Sequence, residues 1–185
     1  MRYAQIRSMD ISNGEGIGVS LFTQGCPYHC KGCFIPETWN FEEGKLFTEK
    51  QKEKILELIQ NQYVSRFSIL GGEPLTPQNI VELFLLVQQI KEKKPDLKIW
   101  CWTGATIQDI LDYPNGTNEK FESLPWTKDT YAVLIKFLIE QVDFLVQGPF
   151  IEEEKDLTLR FCGSRNQKIL TKQEINDIII KEMEK

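Results

Sequence analysis

The sequence predicts an α/β fold, a mostly parallel sheet with helices packed on it. Short apolar runs of strand length alternate along the chain with longer stretches whose apolar residues recur at helical spacing. Strands separated by helices imply right-handed βαβ crossovers, the connection a parallel sheet requires. Composition sets the scale. The 185 residues are 41% hydrophobic and 26% charged, a balance that buries a sizeable core without disulfide staples, so one domain spanning 1–185 is expected.

Ile17 to Thr23 (IGVSLFT) is the first strand. A helix follows from about Thr48 to Gln62: Thr48 and Gln51 have the spacing of a capping box, and Ile55, Leu58, Ile59 and Gln62 share one side. Arg66 to Leu70 (RFSIL) reads as a buried strand stopped by Gly71-Gly72. Thr76-Pro77 offers an N-cap and a proline at the first helical position. Ile80, Val81, Phe84, Leu85, Val87 and Ile90 carry that helix to a stop near Pro95. Leu97 to Trp102 is the third strand and Ala105 to Leu111 a short helix. Asp112 to Thr130 is polar, holds Asn115-Gly116 and two prolines, and reads as an insertion or long loop. A helix near Ala132 to Gln141, a strand near Val142 to Val146 and a charged, exposed stretch from Glu152 to Asp156 come next. Thr171 and Glu174 form a second capping box, with Ile175, Ile178, Ile179 and Met183 on one face of the last helix.

Several classes of function fall away at this stage. A net charge of −5 lacks the basic excess of a dedicated nucleic-acid binder. The most apolar stretches, Ile80 to Ile90 and Phe137 to Val146, are interrupted by Glu, Gln and Asp and fall short of the ~20 residues of a membrane span. No apolar segment follows Arg2, so no signal peptide is expected, and the expected location is the cytoplasm. In a reducing compartment five cysteines, three of them within eight residues, point to metal or redox chemistry rather than to disulfides.

That chemistry concentrates in Cys26-Pro-Tyr-His-Cys30-Lys-Gly-Cys33, directly after the first strand. Thiolates are soft ligands that select iron–sulfur clusters, zinc or copper(I). Gly25 and Gly32 ease a turn tight enough to aim three sulfurs at one cluster face. An electron-transfer 4Fe-4S cluster takes four cysteines and a structural zinc four ligands, whereas this loop supplies three, which leaves one position open for chemistry. The alternative is a closed zinc site completed by His29, Cys101 or Cys162, although His29 adjoins Cys30 and would strain to reach the same ion. Gly71-Gly72-Glu73-Pro74 follows the second strand and on its own is a strand-to-helix turn; Thr103-Gly104 ends the third strand at the same sheet edge. Trp39, Trp100 and Trp102 read as core or interface aromatics, and Cys101, between two of them, as a buried apolar thiol. Cys162 lies beside the Gly163-Ser164 loop, near any site built there.

The C-x3-C-x2-C loop followed one βα unit later by a GGE segment resembles the signature of radical S-adenosylmethionine (SAM) enzymes. Asp10 to Gly16, Thr38-Trp39, Trp102-Thr103-Gly104, Gly148 with Phe150, and Gly163 to Gln167 narrow the likeness to the family of anaerobic ribonucleoside-triphosphate reductase-activating proteins, over nearly the whole chain except 112–130. The resemblance implies an open partial (βα) barrel of the radical SAM type. It implies that Cys26, Cys30 and Cys33 hold a 4Fe-4S cluster and that Gly71, Gly72 and Glu73 hold the amino group of SAM. Thr103 and Gly104 would face its ribose or carboxylate. Gly32 and Phe34 are both expected at the cofactor; Gly32 stands where many superfamily members carry an aromatic residue, so Phe34 becomes the expected adenine contact. Gln147 stands where an acidic residue is expected. The implied reaction is reductive cleavage of SAM to a 5′-deoxyadenosyl radical, which makes a glycyl radical on the catalytic subunit of the reductase. The implied partners are that subunit and a low-potential electron donor such as flavodoxin, and the resemblance also allows a homodimer. Two other functions remain open: activation of a different glycyl radical enzyme, and a non-catalytic zinc or iron–sulfur interaction module.

Overall fold

The computed structural model describes residues 1–112 and 128–184; the expected insertion at 112–130 falls for the most part outside them. The chain runs through β1 (Arg2–Asp10), β2 (Ile17–Thr23), β3 (Lys45–Leu46), α1 (Glu49–Leu58), β4 (Val64–Gly71), α2 (Pro77–Lys93) and β5 (Lys98–Thr103). It continues with α3 (Ile107–Asp112), α4 (Lys128–Gln141), β6 (Phe144–Gln147), β7 (Lys168–Thr171) and α5 (Lys172–Met183). One sheet holds the strands in the order β3-β1-β2-β4-β5-β6-β7. The four central strands pair in parallel, and β1, β3 and β7 extend the two sides antiparallel. This is a mixed α/β architecture with a parallel centre, compatible with an open partial barrel.

Strand side chains alternate between two faces, and here the faces differ in chemistry. Parallel register aligns Leu21, Ile69, Cys101 and Leu145 in one row and Val19, Phe67 and Ile99 in another. These rows are fully buried against Ile80, Leu83 and Val87 of α2 and Ile135 and Leu138 of α4. The opposite face aligns Ser20, Ser68, Trp100 and Phe144, with Arg66 beyond them. Trp100 stacks on Phe144 at 4.3 Å between ring centroids and meets Phe161 edge-on at 5.0 Å, so aromatic rings fill the concave side of the sheet.

Three strands were not visible in the sequence. β1 is an edge-like strand with no clean alternation of burial, β3 is two residues long, and β7 is exposed at both ends and half-buried between them. Other elements differ at their ends. α1 stops at Leu58 rather than near Gln62, because the Lys94 ammonium takes up the carbonyls of Ile59 (2.9 Å), Asn61 (3.2 Å) and Val64 (2.6 Å). Thr76 sits at the N-cap of α2, but its buried hydroxyl makes no hydrogen bond, so Pro77 carries that helix start. α4 begins at Lys128, inside the expected loop, and α3 at Ile107, behind Thr106 and Asp109, which cap each other. Glu152 to Asp156, expected to be exposed, is half-buried at Glu152, Glu154 and Asp156. Glu152–Glu154 forms a 3-10 turn, and Lys31 of the cysteine loop pairs with Glu152 at 3.0 Å. The Thr171–Glu174 box forms as expected, each residue bonding the other's amide.

The strand RFSIL also holds an unexpected charge. Arg66 is fully buried on the concave face. Its guanidinium donates to the Asp10 carbonyl (2.8 Å) and meets the Asp10 carboxylate at 3.4 Å. Asp10 accepts in turn from the amides of Ser12 (2.7 Å) and Asn13 (3.2 Å). The segment after β1 is thereby drawn over the open side of the sheet.

Candidate functional site

In open parallel sheets, ligands bind beyond the carboxyl ends of the strands. All four central strands turn into loops at that edge: β2 into the cysteine loop, β4 into Gly71-Gly72-Glu73, β5 into Gly104 and β6 into Gly148. The loops enclose a cavity of about 470 Å³. Cys26, Cys30 and Cys33 all line it, as do Phe34, Gly71, Gly72, Glu73, Thr103 and Gly104. Gly32 does not. It turns outward at φ +73°, and a Cβ there would lie 2.8 Å from the Glu152 carboxylate.

The cysteine loop is shaped by backbone bonds. Gly25 adopts φ +90° with the Phe41 ring packed where a side chain would stand. The amides of Gly25 and Cys26 donate to the carbonyls of Thr38 (2.8 Å) and Trp39 (3.0 Å), so the 36–39 segment braces the loop from outside. The GGE segment is fastened to the same loop: Gly72 N donates to Thr23 O (2.9 Å) and Glu73 N to Gly25 O (2.7 Å). A Cβ on Gly72 would overlap the Gly25 carbonyl.

Glu73 binds neighbouring loops together. One carboxylate oxygen accepts from Leu75 N (2.9 Å) and the Thr103 hydroxyl (2.8 Å), the other from Gly104 N (2.8 Å). Burial pushes its pKa up to about 7 against the opposing pull of those three donors. Thr103 and Gly104, thirty residues away, thus meet the GGE segment through one side chain. Gly104 is small because the Tyr28 ring lies on it; a Cβ there would come within 2.6 Å of that ring.

Phe34 is 55% exposed, packs at 5.1 Å against Phe150, carries the Lys155 ammonium 5.2 Å from its ring centroid, and lines the cavity. Gly163 leaves the room, since a Cβ would stand 2.8 Å from Phe34 and 3.1 Å from Phe150. The Gly163 to Gln167 segment is a site wall. Gln167 accepts from Gly163 N (2.7 Å) and donates to Gly148 O (2.9 Å), and both Gly163 and Gln167 line the cavity. Gln147, in the position where an acid was expected, accepts from the first amide of α3, which a carboxylate would do equally. Cys162 lines the cavity, whereas Cys101 is fully buried in the core, as its setting between tryptophans indicated.

Sequence reasoning missed Arg7 and Phe22. Arg7 lies 4.4 Å over the Phe22 ring, and both line the cavity. Their partnership depends on β1, whose weak alternation hid it. Trp102 also faces the cavity, its indole N–H held by Phe161 O at 2.9 Å.

The donor set fits an iron–sulfur cluster. Among the described residues no three His, Cys, Asp or Glu side chains gather as a single ion needs them. A cubane makes no such demand, because each thiolate takes its own iron. Burial first, and then the Glu73 charge, push the Cys26 thiol up to about 11; a bound metal's charge reverses that balance and displaces the proton. Among the described residues, no helix is long and apolar enough to cross a membrane.

Residues 12–170 match the family model of a 4Fe-4S single cluster domain. The anaerobic ribonucleoside-triphosphate reductase-activating protein of Vibrio cholerae is 33% identical over 171 residues, 91% of this chain and 97% of its own. That of Haemophilus influenzae is 34% identical over 169 residues, covering 90% and 96%. The Escherichia coli K12 protein of the same name is 31% identical over equal spans.

Proposed function

Since the chain belongs to the family of anaerobic ribonucleoside-triphosphate reductase-activating proteins, we infer that it is the enzyme that installs a glycyl radical on an anaerobic ribonucleotide reductase. Its cofactors are a 4Fe-4S cluster and SAM. When bound, they supply a 5′-deoxyadenosyl radical by one-electron cleavage of SAM, and that radical takes hydrogen from a glycine of the reductase. The observation that carries this reading is the convergence of three thiols of one loop with the Gly72–Glu73 and Thr103–Gly104 ledges on a single cavity.

The protein's own part is to hold, orient and exclude water. Cys26, Cys30 and Cys33 hold the cluster. Backbone carbonyls of Gly71 and Gly72 accept from the amino group of SAM, whereas the Glu73 carbonyl is already taken by the Asn79 side-chain amide (3.0 Å). Glu73 keeps that ledge aligned with Thr103 and Gly104, which face the ribose or carboxylate. Phe34, in the cavity lining, meets the adenine. Trp102, Phe22 and Phe161 keep the inner wall dry, as radical chemistry requires. The mouth stays open, and the reductase closes it by inserting a glycine-bearing loop. A low-potential donor such as flavodoxin supplies the electron, and free thiols at the site suit a reducing cytoplasm.

The test is anaerobic incubation with the reductase, SAM and reductant, followed by electron paramagnetic resonance. A glycyl radical on the reductase is expected. 5′-Deoxyadenosine should form slowly without the reductase and match radical spins with it. Modification of a free small molecule instead would overturn the assignment.

A further inference from the structure

Arg7 differs from the other cations held on or near the sheet. Arg66, Lys91, Lys98 and Arg160 each meet a carboxylate. Among the described residues no carboxylate pairs with Arg7, yet its guanidinium is fixed. Its Nε donates to Gln5 Oε1 at 2.9 Å, and its central carbon lies 4.4 Å from the Phe22 ring centroid. Those two contacts orient the planar fork and leave both terminal NH2 groups without a partner. Arg7 is exposed and lines the cavity, where it is the one cationic side chain among the described residues. A guanidinium only donates, and it sheds water more readily than an ammonium. A fixed fork with unspent donors on a cavity wall therefore suits a pair of oxygen acceptors.

The strand register indicates which molecule brings those oxygens. Arg7 pairs with Ser20 of β2, three residues short of Thr23, whereas Gly71 of the GGE segment is level with Thr23 on the other side of β2. At about 3.3 Å per residue and about 4.8 Å per strand, the Arg7 backbone stands roughly 10 Å along the sheet from the ledge that receives SAM, and two strands across from it. The side chain leans over Phe22, on the floor of the cavity and on its solvent-facing side. A chain entering through the open mouth passes this point.

Building on the activase reading above, we propose that Arg7 is a substrate-binding residue for the reductase: its two free NH2 groups donate to backbone carbonyl oxygens of the glycine-bearing loop as that loop crosses the cavity floor. Carbonyl oxygens are present whatever side chains the loop carries. Two bonds from one planar fork fix the orientation of a peptide as well as its position. Gln5 acts through Arg7 and is a positioning residue. No covalent bond forms or breaks at either side chain.

The experiment counts glycyl radical spins formed per unit time over a range of reductase concentrations, with SAM saturating. Arg7→Gln should raise KM for the reductase about tenfold or more and keep kcat within about twofold, the pattern of binding lost equally from ground and transition states. Iron content, and SAM retention in equilibrium dialysis, should be unchanged. Arg7→Lys keeps the charge without the fork and should fall between, and it repeats the test if Arg7→Gln fails to load iron. Gln5→Leu frees the fork to rotate and should raise KM in the same direction by less. An unchanged KM in the Arg7 variants would overturn the proposal. Lost SAM retention would also overturn it, by assigning the guanidinium to the SAM carboxylate. If the unaltered protein forms no radical on the reductase, the activase reading falls and this proposal with it; a normal radical yield beside an unchanged KM removes only the role of Arg7.

Discussion

Glu73 spends both carboxylate oxygens on donors from three positions, and a neutral amide cannot replace it. Glu73→Gln turns an NH2 toward one of those N–H or O–H groups and leaves it unpaired, at a cost of about 1–3 kcal/mol. A lower thermal midpoint and weaker SAM retention, measured by calorimetry and equilibrium dialysis, are the expected outcomes. Replacing Cys26, Cys30 or Cys33 with Ala should remove most of the iron, since two thiolates hold a cluster poorly. Cys101→Ala should keep it, because that thiol is buried in the core away from the cavity. Iron analysis separates the two groups. Gly72→Ala should also cost iron, since the new methyl group pushes on the backbone of Gly25, next to Cys26. At this scale the cysteines and the GGE segment were legible, because their chemistry lies in short spacings. The bond from Glu73 to Thr103 and the placement of Arg7 over Phe22 were not, since only the sheet brings those residues together.

Asp143 joins four elements just ahead of β6. Its carboxylate accepts from Ile99 N (2.9 Å) and from the ammonium groups of Lys91 (3.1 Å) and Lys98 (3.2 Å). Its backbone bonds to Ile99 at the start of β5 (2.8 Å) and to Lys172 at the start of α5 (2.8 Å). Burial alone would raise its pKa, but the Ile99 amide and the two lysines outweigh that and hold it below the usual carboxylate value. A depressed folded-state pKa contributes stability that is present above the unfolded value and lost as pH falls through the folded one. Asp143→Asn should therefore cost about 2–3 kcal/mol at neutral pH, less than for a fully buried pair because Lys98 stays mostly in water. The gap to the unaltered protein should narrow below about pH 4, as read from urea midpoints. Elements with strong periodicity or caps, such as β2, α2 and α5, were legible in the sequence. Those held by distant partners were not: Lys94 ends α1 from another helix's end, and β1 exists through β2 and β3.

The whole molecule leaves its main cavity open, with Leu157, 75% exposed, in its lining and Ile11, equally exposed, next to the lining residue Ser12. The parallel centre of the sheet was legible from alternating strands and helices; the buried Arg66–Asp10 pair that draws the 10–16 segment over it was not, since a strand of RFSIL gives no sign of a charge turned inward. If the reductase closes the mouth, the rim is where it makes apolar contact. Ile11→Asp and Leu157→Asp should each weaken activation about tenfold or more while iron content is unchanged, measured as radical spins at limiting reductase. Open access also exposes the site to oxygen. Brief aeration should abolish activity until the cluster is rebuilt, and activity equal before and after aeration would contradict an open, incompletely ligated cluster.

The placement of indole rings gives the protein an optical gauge of its own state. Of its four tryptophans, Trp126 lies outside the described residues; Trp102 lines the cavity that Cys26, Cys30 and Cys33 line, Trp100 stacks on Trp102 at 5.6 Å, and Trp39 lines a separate opening together with Cys26. Iron–sulfur clusters absorb broadly across the near ultraviolet and visible, where indole emits. Excitation of these rings should therefore drain into a bound cluster. Intrinsic fluorescence should dim in step with iron uptake and recover on chelation, so that cluster assembly can be timed in the unlabelled protein before any SAM or reductase is added.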